Sequence, residues 1–100
     1  MKIVAVTACP TGVAHTFMAK SALEKAAKKL GYTIKVETQG AMGIENEITT
    51  KDLEDAEVVI LAVETGISKM ERFRGKKIVK VGVTDAMRKP EKLILKALGK

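Results

Sequence analysis

Short apolar runs of two kinds alternate along this chain, and that alternation restricts its fold more than any other feature. KIVAVTA (Lys2–Ala8) and EVVILAV (Glu57–Val63) are brief and rich in Val and Ile, like buried strands. EVVILAV is the most apolar and is expected at the centre of a sheet. YTIKVET (Tyr32–Thr38) alternates as a second strand, and KKIVKVGV (Lys76–Val83) reads as a fourth. Helical patterns separate them. In HTFMAKSALEKAAKKL (His15–Leu30), Ala19, Leu23, Ala26 and Leu30 make one stripe while Lys20, Glu24 and Lys28 face away. Gly31 is its stop signal. TTKDLEDA is a short acidic helix with a Thr cap, and SKMERF a helical turn or two. PEKLILKAL (Pro90–Leu98) opens with proline at the first helical position. QGAMGIEN is read as a loop. Strand–helix alternation with short connections predicts an α/β fold, a three-layer sandwich with a four-stranded parallel sheet and right-handed crossovers.

The 100 residues predict one domain, residues 1–100. Three aromatic residues (Phe17, Tyr32 and Phe73) leave the core to Val, Ile, Leu, Ala and Met, and leave almost nothing on which nucleic-acid bases could stack. The net charge of +6 is uneven: residues 1–68 hold 7 Lys/Arg and 9 Asp/Glu, residues 69–100 hold 11 and 3. Lysines spread through elements with apolar periodicity describe a solvated surface or a face for an acidic protein, and no nucleic-acid partner is expected. One cysteine excludes an internal disulfide and a CxxC pair, and one cysteine with one histidine argues against a zinc site. Neither metal nor cofactor is expected. No apolar run approaches the ~20 residues of a membrane span, and Met1-Lys2 leads directly into a strand without a signal peptide. With a lone free thiol, these features predict a cytoplasmic protein.

Ligands of parallel α/β sheets bind at the carboxyl ends of the strands. Cys9, Gln39, Thr65 and Asp85 fall just past the four expected strand ends, so all belong near one edge. After the first strand the chain reads C-P-T-G-V-A-H-T and becomes helix. A helix N-terminus offers free N–H groups and a positive dipole end. A glycine-containing turn before it can aim further amides inward, and a thiol there is driven toward thiolate. Together these describe a phosphate-sized anion site with a nucleophilic sulfur at its base. The spacing matches the C-x5-R-[ST] loop of protein tyrosine phosphatases and related arsenate reductases, but His15 stands where their arginine would be, followed by Thr16. That arginine clamps phosphoryl oxygens in two places at once. Without it, backbone amides, Thr11, Thr16 and His15 are left to hold the charge, which suits a protein that passes on a phosphoryl group better than one that hydrolyses it. A phosphatase or arsenate reductase is a second reading. A binding module for nucleotide, flavin or nucleic acid is a third, although the chain lacks G-x-G-x-x-G and a P-loop lysine.

TACPTGVAHTFMA followed by KVETQGAMGIENEIT closely resembles the fructose-type IIB domains of the bacterial phosphoenolpyruvate-dependent sugar phosphotransferase system. The similarity is strongest over residues 3–49, and ERFRGKKIVKV also resembles that family's segment before its last strand. VETGISKM departs from the AAD-x-x-V pattern of the best-known fructose members and is closer to the stand-alone, fructose-like subunits. The resemblance implies that Cys9 is phosphorylated by a phosphohistidine on a IIA partner and passes the group to a sugar held by a membrane-embedded IIC partner during import. It implies that Pro10, Thr11, Gly12, Val13, Ala14, His15 and Thr16 form the phosphate-holding loop. His15 either hydrogen-bonds phosphate or holds the loop. QGAMGIEN is expected beside that loop, with Gln39 and Asp85 as accessory candidates; for Gln39 a purely structural turn is the alternative. The chain is expected to be a monomer on its own and to reach the inner membrane only through IIC.

Overall fold

The chain folds around β1 (Lys2–Ala8), the middle strand of the sheet. The computed structural model describes residues 2–8, 13–40, 43–63 and 66–99. On one side β1 pairs in parallel with β2 (Thr33–Gly40), and on the other with β4 (Ala56–Val63). Ala5 lies opposite Val36 and Ile60, and Ala8 opposite Gln39 and Val63. Ile3, Val4, Ala5 and Val6 are fully buried. A strand covered on both faces has no polar side to show, which explains the unbroken apolar run in the sequence.

Side chains alternate across a strand, so β1 feeds two cores. Ile3 and Ala5 pack with Val36, Val58 and Ile60 against α1 (Val13–Lys29), α3 (Val83–Arg88) and α4 (Pro90–Ala97). Val4, Val6 and Ala8 pack with Val59, Leu61 and Val63 against Ile48, Leu53 of α2 (Thr50–Asp55), and Phe73 of a 3-10 helix (Met70–Phe73). These two helical layers with the sheet between them form the three-layer sandwich.

The helix signals work as read. Ala19, Leu23 and Ala26 are buried as one stripe of α1. Gly31, at φ +80°, ends that helix: its N–H donates to Lys28 O and the Tyr32 N–H to Ala27 O. Thr49 caps α2 reciprocally, its Oγ1 accepting from Asp52 N–H while its own N–H donates to Asp52 Oδ2. Pro90 opens α4.

Four expectations need correction. The sheet has five strands, ordered β3-β2-β1-β4-β5, not four. The extra strand, β3 (Gly43–Glu45), runs antiparallel to β2 inside the segment read as a loop, so the sheet is mostly, not wholly, parallel. Three residues carry no periodic signal; pairing with Thr38, Gln39 and Gly40 alone defines them. The last strand is only β5 (Ile78–Val81). Gly82 caps α3, and Val83 and Ala86 turn inward toward α1, so burial converts the end of the expected strand into helix. β4 is interior but not central, because β3 adds a strand on the far side of β1. Finally, α1 begins at Val13, two residues before the expected start.

Ile60 is fully buried between sheet and helices, so Ile60→Ala should lower unfolding free energy by about 2–5 kcal/mol. Ile78, at 40% exposure on the edge strand, should lose less than about 1 kcal/mol as Ile78→Ala. Urea denaturation of both variants checks the contrast.

Candidate functional site

Because β1, β2, β4 and β5 run in the same direction, their carboxyl ends share one edge of the sheet. Ala8, the residue before Cys9, stands in register between Gln39 and Val63. Cys9, Pro10, Thr11, Gly12 and Thr65 lie outside the described residues. Val13 opens α1 at this edge; Ala14 and His15 of the same turn are exposed, whereas Thr16 is buried. The 17-residue helix has no acidic residue in its first turn and Lys28 and Lys29 in its last. Nothing in that first turn therefore offsets the positive end of the helix dipole, which points to where residues 9–12 connect β1 to α1.

Gln39 reaches the predicted edge, but inside β2 rather than past its end, and its amide is already engaged. Its Oε1 accepts from Ser68 N–H at 2.8 Å, and its Nε2 donates to Ser68 O at 3.2 Å and to Glu37 Oε2 at 2.7 Å. This clamp ties the segment after β4 to the end of β2. Asp85 lies in the first turn of α3, exposed, with no side-chain hydrogen bond or ion pair to another described residue.

Sequence reasoning missed the group beneath Gln39. Glu37 is fully buried, and its two oxygens receive both terminal nitrogens of Arg72 at 2.7 and 2.6 Å. With the Gln39 Nε2 already described, the Ile48 N–H adds a fourth donor at 2.9 Å, and the Arg72 guanidinium also lies 4.6 Å from the Phe73 ring centre. Burial by itself would push the Glu37 carboxyl up. The bonds from Arg72, Gln39 and Ile48, with the guanidinium charge, outweigh it and hold the group below its ordinary value. One signal was available: in KVETQ the alternation that buries Val36 sends Glu37 and Gln39 together to the opposite face of an interior strand. A carboxylate there demands a cation, and Arg72 in ERFR supplies it. Asp52, the other strongly perturbed carboxyl, serves structure. The Thr49 N–H, then Lys2 at 2.9 Å and Lys35 at 3.5 Å, hold it well below the carboxylate range.

Removing Arg72 strands a buried charge, so Arg72→Met should cost about 3–5 kcal/mol at neutral pH, and the pair Glu37→Leu with Arg72→Met should recover most of it. Glu37 has a depressed native pKa, so its contribution is present above its ordinary value of 4.5 and is lost as pH falls through the lower native value. The deficit of Arg72→Met should therefore shrink in acid. Chemical denaturation at neutral and acid pH measures both effects.

Among the described residues no helix is long and apolar enough to cross a membrane, and no cluster of His, Cys, Asp and Glu is placed to hold a metal ion. Residues 4–96 match the family model described as "PTS system, Lactose/Cellobiose specific IIB subunit". The chain is 54% identical over 95 residues to the PTS system fructose-like EIIB component 2 of Escherichia coli K12, covering 95% of this chain and 90% of that protein. It is 53% identical over 97 residues to the PTS system fructose-specific EIIABC component of Bacillus subtilis, of which it spans only 15%. A crystal structure of a domain from the fructose-specific IIABC component of Borrelia burgdorferi superposes with a TM-score of 0.92 at 50% identity, covering 98% of this chain and 93% of that one. Matched over nearly its whole length, the chain belongs to the fructose-type IIB components of the sugar phosphotransferase system, whose work is phosphoryl transfer in sugar uptake.

Proposed function

We propose that Cys9 accepts a phosphoryl group from a phosphohistidine on a IIA protein and delivers it to a fructose-like sugar held by a membrane IIC protein. Family membership with a single cysteine directly after β1 carries this reading. Relatives in which the same domain is one part of an EIIABC chain support IIA and IIC as the partners, and the names of the curated relatives favour a fructose-type sugar over the family description.

In the first step the Cys9 thiolate attacks phosphorus; an S–P bond forms, the N–P bond breaks, and the imidazole takes back its electron pair. In the second step a sugar hydroxyl attacks the same phosphorus and gives up its proton. An O–P bond forms, and the S–P pair returns to sulfur as thiolate. Both transfers pass through a loose transition state with charge on the peripheral oxygens, which positioned amides stabilise. Pro10, Thr11, Gly12, Val13, Ala14, His15 and Thr16 surround the phosphate in this reading, at the positive end of α1. Because position 15 is histidine and not arginine, the loop holds phosphate without the clamp of a phosphatase. The protein works as a cytoplasmic monomer that delivers its phosphoryl group at the membrane protein IIC. Gln39 serves by fixing the segment after β4. Asp85, exposed at the same end, is available to a partner.

With phosphoenolpyruvate, the general carrier proteins and a IIA protein, intact-mass and peptide spectra should find one labile phosphate on Cys9. Cys9→Ser should transfer none to sugar; transfer by that variant at the wild-type rate would falsify the assignment. The isolated protein should hydrolyse an aryl phosphate no faster than buffer does.

A further inference from the structure

The helical layer is strongly cationic, and the opposite layer is not. Residues 13–29 and 83–97, which build α1, α3 and α4, carry 8 Lys/Arg against 3 Asp/Glu. Residues 45–57 and 66–77, which lead into and form α2 and the 3-10 helix, carry 7 Asp/Glu against 6 Lys/Arg. Four cations on that side are neutralised: Lys2 and Lys35 by Asp52, Lys69 by Glu47, Arg72 by Glu37. On the layer of α1, α3 and α4, among the described residues, only Lys20 and Lys29 have acidic partners, Glu24 and Glu91. Lys25, Lys28, Arg88, Lys89, Lys92 and Lys96 are exposed and make no ion pair with a described residue. Several of these cations rim a shallow groove of about 410 Å³ where α1 meets the turn between α3 and α4.

We infer that this face of α1, α3 and α4 binds the anionic surface of a phospholipid bilayer. Three features favour a lipid surface over a single acidic peptide. The cations extend beyond the groove, to Lys28 on α1 and Lys96 on α4. The molecule is a slab of 32 × 28 × 18 Å, so a face of this kind suits a plane. The charge separation between the layers turns one face toward negative potential and the other away. At 1.5 Å per residue, Lys25 lies about 18 Å and Lys29 about 24 Å along α1 from Val13. The carboxyl edge of the sheet therefore sits at the rim of the docked slab and stays open to protein partners. This face is separate from the Cys9 edge, and the two can be tested apart.

Each Lys or Arg brought to an anionic leaflet raises partitioning roughly five-fold at low salt. The full chain should cosediment with vesicles of phosphatidylcholine containing phosphatidylglycerol and stay in solution with phosphatidylcholine alone. The triple variant Lys25→Gln, Arg88→Gln, Lys92→Gln should bind roughly a hundred-fold more weakly. Arg74→Gln with Lys77→Gln, exposed cations outside this face, should bind like wild type. Binding to neither vesicle, or equal binding by wild type and triple variant, overturns the inference. So does displacement from vesicles by millimolar inorganic phosphate or by a polyglutamate peptide, which would make the groove a site for a small anion or an acidic protein. Lipid-free phosphorylation of Cys9 by a IIA protein should be unchanged in the triple variant, so that failure of lipid binding and failure of the phosphoryl-carrier reading give different results.

Discussion

β1 is flanked by strands on both sides and by helices on both faces, so its N–H and C=O groups can be satisfied only by β2 and β4, and its side chains only by the two cores. Parallel pairing on both sides forces each connection to travel the length of the sheet, and α1 is the longest of those crossovers. One result is geometric. The ends of four parallel strands and the start of α1 arrive at the same edge, and the chain's one cysteine follows directly from the end of the middle strand. The meeting of these strand ends with the start of α1 thus follows from how the central strand is buried.

The fully buried Glu37 has the opposite character. A carboxylate on an interior strand is costly, and its pairing with Arg72 offsets that cost without making the pair a net source of stability. Its value is in fixing positions. The Arg72 fork holds the 3-10 helix, the carboxylate receives the N–H at the approach to α2, and the neighbouring Gln39 holds Ser68 through both backbone groups. Two connections that lack long secondary structure of their own, the approach to α2 and the stretch between β4 and β5, are thereby tied to β2 at three points. An apolar pair of similar volume could fill the same space, but it would not specify which backbone groups meet there.

Charge is organised on a larger scale along the same layers. α1 carries cations at its carboxyl end and no acid in its first turn, an arrangement that favours the helix and leaves its amino end attractive to an anion. On the proposed reading, histidine at position 15 where a phosphatase has arginine suits a carrier: backbone and hydroxyl donors would hold phosphate while leaving it free to move on. The broader cationic face of the helical layer is spatially distinct from this edge, so chemistry and docking need not compete for the same residues.

The sequence by itself determined the α/β class, the parallel interior strands, the stripe and carboxyl end of α1 and the Thr49 cap. These are written in short-range periodicity and in capping residues whose partners lie within a few positions. Tertiary structure alone decided the rest. β3 exists because Gly43–Glu45 meets the end of β2, and β1 is central because that strand was added. Val83 became helical because burying Val83 and Ala86 against α1 outweighs the β-branched pattern before them. Glu37 and Arg72 are 35 positions apart, and no local spacing announces a pair that exists only once the sheet brings a carboxylate into a place where water cannot follow.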